Sequence, residues 1–250
     1  MTTMTIAHHF ETITLDELVE TASLQHRIDR KYAMPDADTA VLIDLLPVST
    51  RVLDIDDVID QPYLSHYFDT PDLASYLGAA RRRPRRFKVR TRQYTSGETF
   101  VEVKVRRGEH TLKSRTPIDA SEQFGIPARV HDFVVDSLAL GRVTAVDPSE
   151  LSRVLTTRYN RTTLLLPSVA RVTIDRSLNW ALPDGRSVSQ PGLAIVETKT
   201  PSAASEADRL AWSMGRRPTR LSKYATGLAA LRPDLPDHPW LRTLNVWFRS

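Results

Sequence analysis

Phe87-Lys88-Val89-Arg90-Thr91-Arg92-Gln93-Tyr94 and Phe100-Val101-Glu102-Val103-Lys104-Val105-Arg106-Arg107 flank a short segment containing Thr95-Ser96-Gly97. In both runs polar and apolar residues alternate with the period of two that marks a strand. A loop of a few residues with a glycine between two such runs predicts a hairpin. Its polar face is ionic at almost every position, with Lys88, Arg90, Arg92, Lys104 and Arg106 against the lone Glu102. A row of like charges repels itself, so this face points to an anionic ligand.

The same alternation recurs along the chain. Arg27, Asp29 and Lys31 oppose Ile28, Arg30 and Tyr32, and Lys113 and Arg115 fall together in Thr111–Thr116. Arg158–Leu166 places Tyr159, Arg161 and Thr163 on one face; Ala170–Asp175 does so with Arg171, Thr173 and Asp175; Leu193–Thr200 does so with Glu197 and Lys199. Strands ionic on one face and apolar on the other predict an α+β fold, a closed antiparallel β-barrel with helices outside and a wet ionic interior. Such an interior must admit water or anions, because unpaired buried charge is costly.

Helices are expected over 14–24, from Pro35-Asp36 to about Leu46 with Val41, Leu42 and Leu45 as the apolar stripe, and to about Ala79 with Thr70 as N-cap and Pro71 in the first helical position. Residues 119–153 read as mostly helical, Ser202–Gly215 as a helix, and Ser222 as the N-cap of a helix to Leu231. The tail from Pro233 reads as irregular, and Val52–Ile55 and Tyr63–Phe68 as further strands. Arg81–Arg86 is a basic run that reads equally as a solvated loop.

Composition narrows the class. The 250 residues carry 41% hydrophobic and 26% charged side chains with a net charge of +4, which suits one globular domain over 1–250 with its core at about 24–231. Cysteine is absent, so disulfides and thiolate metal sites are excluded, and a cytoplasmic location is expected. The opening M-T-T-M-T-I-A-H-H-F lacks signal-peptide character, and no apolar run is long enough to span a membrane. The sequence contains no P-loop or G-x-G-x-x-G pattern and no histidine cluster of zinc type. Asp29, Glu102, Asp175 and Glu197 are the acids on the ionic faces. They either pair internally or hold a hard cation, Mg²⁺ or Mn²⁺, for which Glu197 and then Glu102 are the candidate ligands. Only six lysines stand among the 34 basic residues, which marks Lys31, Lys88, Lys104, Lys113, Lys199 and Lys223 as positions wanting a compact ammonium. Aromatic residues do not interleave with the basic rows as nucleic-acid stacking requires, so no specific nucleic-acid partner is expected.

Eight stretches in order, H-R-I-D-R-K-Y, Y-F-D-T-P-D-L-A-S-Y, K-V-R-T-R-Q-Y, F-V-E-V-K, R-Y-N-R, R-V-T-I-D, I-V-E-T-K and L-S-K-Y, resemble the VTC domain family of the CYTH-like triphosphate tunnel superfamily. The resemblance implies an antiparallel β-tunnel that transfers the γ-phosphate of ATP to a growing polyphosphate chain and releases ADP. It implies that Arg90, Arg92, Lys104, Arg161 and Lys223 act on the transferring phosphates. Lys31, Arg27, Lys88, Lys113, Arg115, Tyr159, Arg171, Lys199 and Ser222 would bind substrate phosphate, with Lys88 and Arg106 nearer the tunnel mouth. Glu197 would hold Mn²⁺ or Mg²⁺. Two other readings stay open: an inorganic or nucleoside triphosphatase on the same scaffold, which Arg27 in place of a first-strand glutamate disfavours, and a non-catalytic polyanion-binding module. The sensing domain and membrane helices of eukaryotic members are not expected, which leaves recruitment by a membrane partner open.

Overall fold

A computed structural model describes residues 9–22, 27–108, 110–201 and 203–249. His26, the end of the expected 14–24 helix and Ser202 lie outside them. The chain runs β1 (Glu11–Ile13), α1 (Leu15–Thr21), β2 (Ile28–Pro35), α2 (Asp36–Asp44), β3 (Arg51–Leu53), β4 (Asp60–Asp69), α3 (Ala74–Ala80), β5 (Arg85–Gln93), β6 (Thr99–Arg107) and β7 (His110–Ile118). It continues through α4 (His131–Leu140), β8 (Ser152–Leu165), β9 (Arg171–Ala181), β10 (Ser187–Gln190), β11 (Leu193–Thr200), α5 (Glu206–Ser213), α6 (Lys223–Leu231) and α7 (Leu241–Trp247). No helix among the described residues is long and apolar enough to cross a membrane. Two compact units form, each from three separate chain segments.

The first unit contains residues up to Gln61, Tyr159–Leu178 and Gln190–Leu221. Its strands run β2-β11-β9-β8, antiparallel where β11 meets β2 and β9. The alternation read from the sequence fixes the faces. Tyr32, Met34, Val172, Ile174 and Val196 turn to one side and bury against Leu42 and Ile43 of α2 and Ala207 and Ala211 of α5. The stripe expected on α2 is corrected: Val41 and Leu45 are exposed, while Thr39, Ala40, Leu42 and Ile43 are buried. A helix of nine residues lies flush on the sheet through consecutive pairs rather than one narrow seam. The expected helix from Ser202 begins only at Glu206, capped by Ser205, whose hydroxyl accepts from the Asp208 amide.

The second unit contains Pro62–Arg158, Asn179–Ser189 and the chain from Ser222. Its strand order is β8-β4-β5-β6-β7, so the hairpin becomes a three-stranded antiparallel ribbon. Phe87, Val89, Val101, Val103 and Val105 bury against Val134 and Leu138 of α4. Most of 119–153 is irregular or short 3₁₀ turn, with α4 as its one α-helix. Thr70 does donate capping chemistry, accepting from the Ala74 amide at 2.9 Å, but α3 starts at Ala74 because Leu73 takes a left-handed φ of 57°; Pro71 therefore lies outside the helix. The tail is also corrected. α7 forms because Trp240 and Leu244 are buried, Trp240 against Tyr76 and Phe248 edge-on to Trp180.

The expected α+β architecture of antiparallel strands with helices on their apolar faces holds. Hydrogen-bonded closure does not. Among the described residues β2 pairs on one edge only, with β11, and β7 on one edge only, with β6. The barrel of the expectation is an open path of strands. Alternation sets which face each residue takes, but it carries no information on whether the last strand meets the first.

Candidate functional site

Register turns the hairpin's alternating residues into rows. On one face of the ribbon Lys88 stands opposite Lys104, and Lys104 opposite Lys113. The next row is Arg90, Glu102 and Arg115, the one beyond it Arg92, Phe100 and Pro117, and on the other side lie Arg86, Arg106 and Thr111. Glu102, 2% exposed, organises this face. Its Oε2 accepts from Arg90 Nε at 2.7 Å, and its Oε1 accepts from Lys113 Nζ at 2.6 Å and from the Tyr94 hydroxyl at 2.9 Å. Burial would raise this carboxyl, but the Arg90 and Arg92 guanidiniums and the Lys113 ammonium outweigh it and hold the group well below the usual carboxylate range. Glu102 is thus committed to cations, and its geometry suits a positioning residue rather than the second metal ligand expected from the sequence.

Aromatic rings complete the setting. Arg90 Nη1 donates to the Tyr67 hydroxyl at 3.2 Å, and its guanidinium lies 5.8 Å from that ring. Arg92 donates to Ser65 Oγ at 3.2 Å and sits 5.1 Å from the Tyr63 ring and 5.9 Å from the Tyr94 ring. Tyr67 in turn stacks on Tyr224 at 5.1 Å. Tyr63, Tyr67 and Tyr94 were missed as candidate site residues because they carry no charge; Tyr94, two residues beyond Arg92, shares its face, and that spacing is the signal that could have found it. Arg115 is exposed with its guanidinium 4.8 Å from the Phe100 ring.

The N-terminus of α6 belongs to the same unit. Ser222 caps it, accepting from the Ala225 amide at 3.3 Å and from Lys88 Nζ at 2.8 Å, and Lys223 is the first helical residue. Trp180 Nε1 donates to the Lys223 carbonyl at 2.9 Å and holds this turn in place. The ring lies so close to Gly227 that a Cβ there would overlap it, which accounts for a glycine in mid-helix.

The first unit carries the other predicted residues. Lys31 and Thr173 flank Glu197 in register, while Asp29 and Arg171 flank Lys199. Here anions and cations intersperse. Arg161 grips Asp175 with Nε at 2.6 Å and Nη2 at 2.9 Å, Arg27 Nε donates to Asp29 at 2.8 Å, and Lys199 Nζ lies 3.1 Å from Glu197. Tyr159 is buried with its ring 5.4 Å from the Arg161 guanidinium. Burial pushes Lys199 down to about 8 despite the pull of Glu197. Burial also lowers Arg171, helped by the neighbouring Arg27 and Arg161. Among the described residues no three His, Asp or Glu converge as a metal cage. Glu197 on an ionic strand fits a hard cation that takes one carboxylate and completes its shell from phosphate and water.

The comparisons follow from this geometry. The chain overlays on a crystal structure of a putative adenylate cyclase from Bacillus halodurans with a TM-score of 0.50 and 14% identity, covering 78% of this chain and 94% of that one, a shared fold. A putative adenylyl cyclase from Hippeastrum, described as having a dominant triphosphatase activity, gives 0.48 and 15% over 80% and 94%. A protein from Pyrococcus horikoshii gives 0.47 and 12% over 83% and 98%. No curated protein sequence matches the chain. The VTC domain family model matches residues 26–232, which span both ionic faces and the cap of α6; the chain belongs to the VTC domain family.

Proposed function

We propose that the protein is a metal-dependent polyphosphate polymerase that transfers the γ-phosphate of ATP to the end of a polyphosphate chain. The observation that carries this is the ribbon face: Arg86, Lys88, Arg90, Arg92, Lys104, Arg106, Lys113 and Arg115 share it with a single carboxylate. Guanidinium forks suit phosphate oxygens, and ammonium groups add point charge. In the reaction a terminal oxygen of the chain forms a bond to the γ-phosphorus while the bond from that phosphorus to the β,γ-bridging oxygen breaks. The electron pair leaves on ADP. The attacking oxygen is already anionic, so no general base is needed.

Arg90 and Arg92 are oriented before any phosphate arrives, by Glu102 and Tyr67 on one and by Ser65 on the other. Donors fixed in advance neutralise charge on the transferring group without reorganising. Lys104, Lys113, Lys223 and the α6 N-terminus, where free amides favour anions, extend the same cation set. The first unit carries its own candidate phosphate-binding cations, Lys31, Arg161, Arg171 and Lys199. Glu197 would hold Mn²⁺ or Mg²⁺ with phosphate oxygens, and the ion would supply additional neutralisation of phosphate charge. ATP and inorganic polyphosphate are the partners, and the cysteine-free composition suits action in the cytoplasm.

Incubation with ATP, Mn²⁺ and a short polyphosphate primer should give ADP and a ladder of lengthening chains on a gel. Orthophosphate without chain growth would assign a triphosphatase instead. Binding with no nucleotide turnover would assign a polyanion-binding module.

A further inference from the structure

Apart from Arg86, which ends the ribbon's cationic face, the run Arg81-Arg82-Arg83-Pro84-Arg85-Arg86 is not used by the mechanism above. It is not a loose loop. The Arg81 amide donates to the Leu77 carbonyl and the Arg83 amide to the Gly78 carbonyl, both at 2.9 Å, while Arg82 takes a left-handed φ of 53°. Pro84 fixes its own φ, and its carbonyl accepts from the Gly108 amide at 3.1 Å. The backbone is therefore tied both to the end of α3 and to the β6–β7 turn. Arg81, Arg82, Arg83 and Arg85 are exposed. Among the described residues none of the five arginines lies within ion-pair distance of a carboxylate.

Register brings in more charge. Arg85 stands opposite Arg107, and Arg86 opposite Arg106, so seven arginines gather at this end of the ribbon. Burial and the Arg106 guanidinium lower Arg86, as expected where cations crowd. A cavity of about 670 Å³ opens beside the cluster, lined by Arg81, Arg83, Arg85 and Arg86 with Asp72 and Glu150 as its acids. Arg86, which lines the cavity, and Arg106 belong to the same face as Lys88 and Lys104, one row away, while Arg85 and Arg107 alternate to the face of Phe87 and Val105. Phe87 is the cavity's one aromatic residue and is 5% exposed, so no platform for stacked bases is present.

We propose that this arginine end of the ribbon is a second polyanion site, which holds a length of inorganic polyphosphate chain beyond the phosphates gripped by Arg90 and Arg92. The identity of the polyanion rests on the polymerase reading. A self-repelling cluster held rigid beside a cavity is stabilised by a flexible chain of phosphates, whose charge spacing can follow it without any base contact. Retention of the growing chain there would let successive transfers occur before release.

The test is binding without ATP or metal, so it stays readable even if the protein proves to be a triphosphatase. Arg81→Ser/Arg83→Ser/Arg85→Ser should weaken long-chain polyphosphate at least tenfold at low salt. It should leave inorganic tripolyphosphate within twofold. The slope of log affinity against log salt should fall by about 2, since each phosphate contact on a single strand contributes roughly 0.7. The corresponding triple lysine variant should keep most of the long-chain affinity, and thermal unfolding should be unchanged in both. Undiminished long-chain binding in the serine variant overturns the proposal, as does an equal loss for tripolyphosphate. RNA binding as tightly as polyphosphate, with the same loss in the variant, overturns it in favour of a nucleic-acid site.

Discussion

The ribbon β5-β6-β7 and the ladder β2-β11-β9 are built from the same alternating grammar, yet they distribute charge in opposite ways. In the ribbon, cations accumulate around one buried carboxylate, and Glu102 has cations or hydroxyls on both oxygens. In the ladder each carboxylate stands beside a cation: Asp175 with Arg161, Glu197 with Lys199, Asp29 with Arg27. A ladder of that kind is nearly balanced before any ligand arrives. A ribbon with surplus cations is left to be balanced by an anion from outside it. On the proposed function, the ribbon would be the part that responds to substrate, and the ladder the part that offers a carboxylate to a cation.

The largest effect should come from Glu102→Gln. Removing the charge leaves the part-buried Arg90 uncompensated beside Lys113; breaking a fully buried pair costs about 3–5 kcal/mol, and the 44% exposure of Lys113 brings the expected loss below that range. Urea unfolding should show that loss, and a smaller one for Asp175→Asn, which disturbs the bidentate pair with Arg161. Equal losses would break the contrast. Next, Arg90→Ala and Arg92→Ala should each lower the turnover rate about 100-fold or more, the range for losing one preorganised donor at a developing charge, with circular dichroism unchanged. Chain synthesis at the normal rate by either variant would remove the ribbon from the reaction.

The smallest effect is a proton count. Lys199 is held at about 8, below the ordinary 10.5, so between these values the folded protein has released a proton that the unfolded chain keeps. Its contribution to stability therefore rises with pH through that window and is lost as pH falls through about 8. An anion reverses this by recharging the ammonium, so tripolyphosphate binding near pH 9 should take up a fraction of a proton. Calorimetry in two buffers of different ionisation enthalpy reads it. Lys199→Met should abolish most of the uptake. Lys113→Met should remove less, because Lys113 is also lowered to about 8 but keeps 44% of its side chain exposed, where water screens it. Equal loss in both would place the two lysines in equivalent surroundings.

Legibility followed the periodicity. The strands, their ionic faces and the Ser222 cap could be read because each depends on residues a few positions apart. The C-terminal helix α7 could not, since its formation depends on Trp240 meeting Tyr76, a contact between residues far apart in the chain. Glu102 was legible as an acid in a basic row, but whether it holds a metal or two cations depends on where β7 places Lys113. The stripe on α2 failed for a similar reason: spacing alone does not say how the sheet beneath will meet the helix.

By itself the sequence determined which residues share a face and that one face would be cationic, because a strand's side chains alternate whatever lies beside it. Only the tertiary structure decided which rows form across strands. That register sets Lys88, Lys104 and Lys113 abreast, locks Arg90 onto Glu102, and brings Arg85 and Arg86 of the Arg81–Arg86 run opposite Arg107 and Arg106 beside a cavity. Neighbour relations across a sheet are fixed by hydrogen bonding between distant segments, which no local pattern encodes. The hairpin at Phe87–Arg107 pointed to an anion; the third strand and the tyrosines around it fix how its cations are arranged.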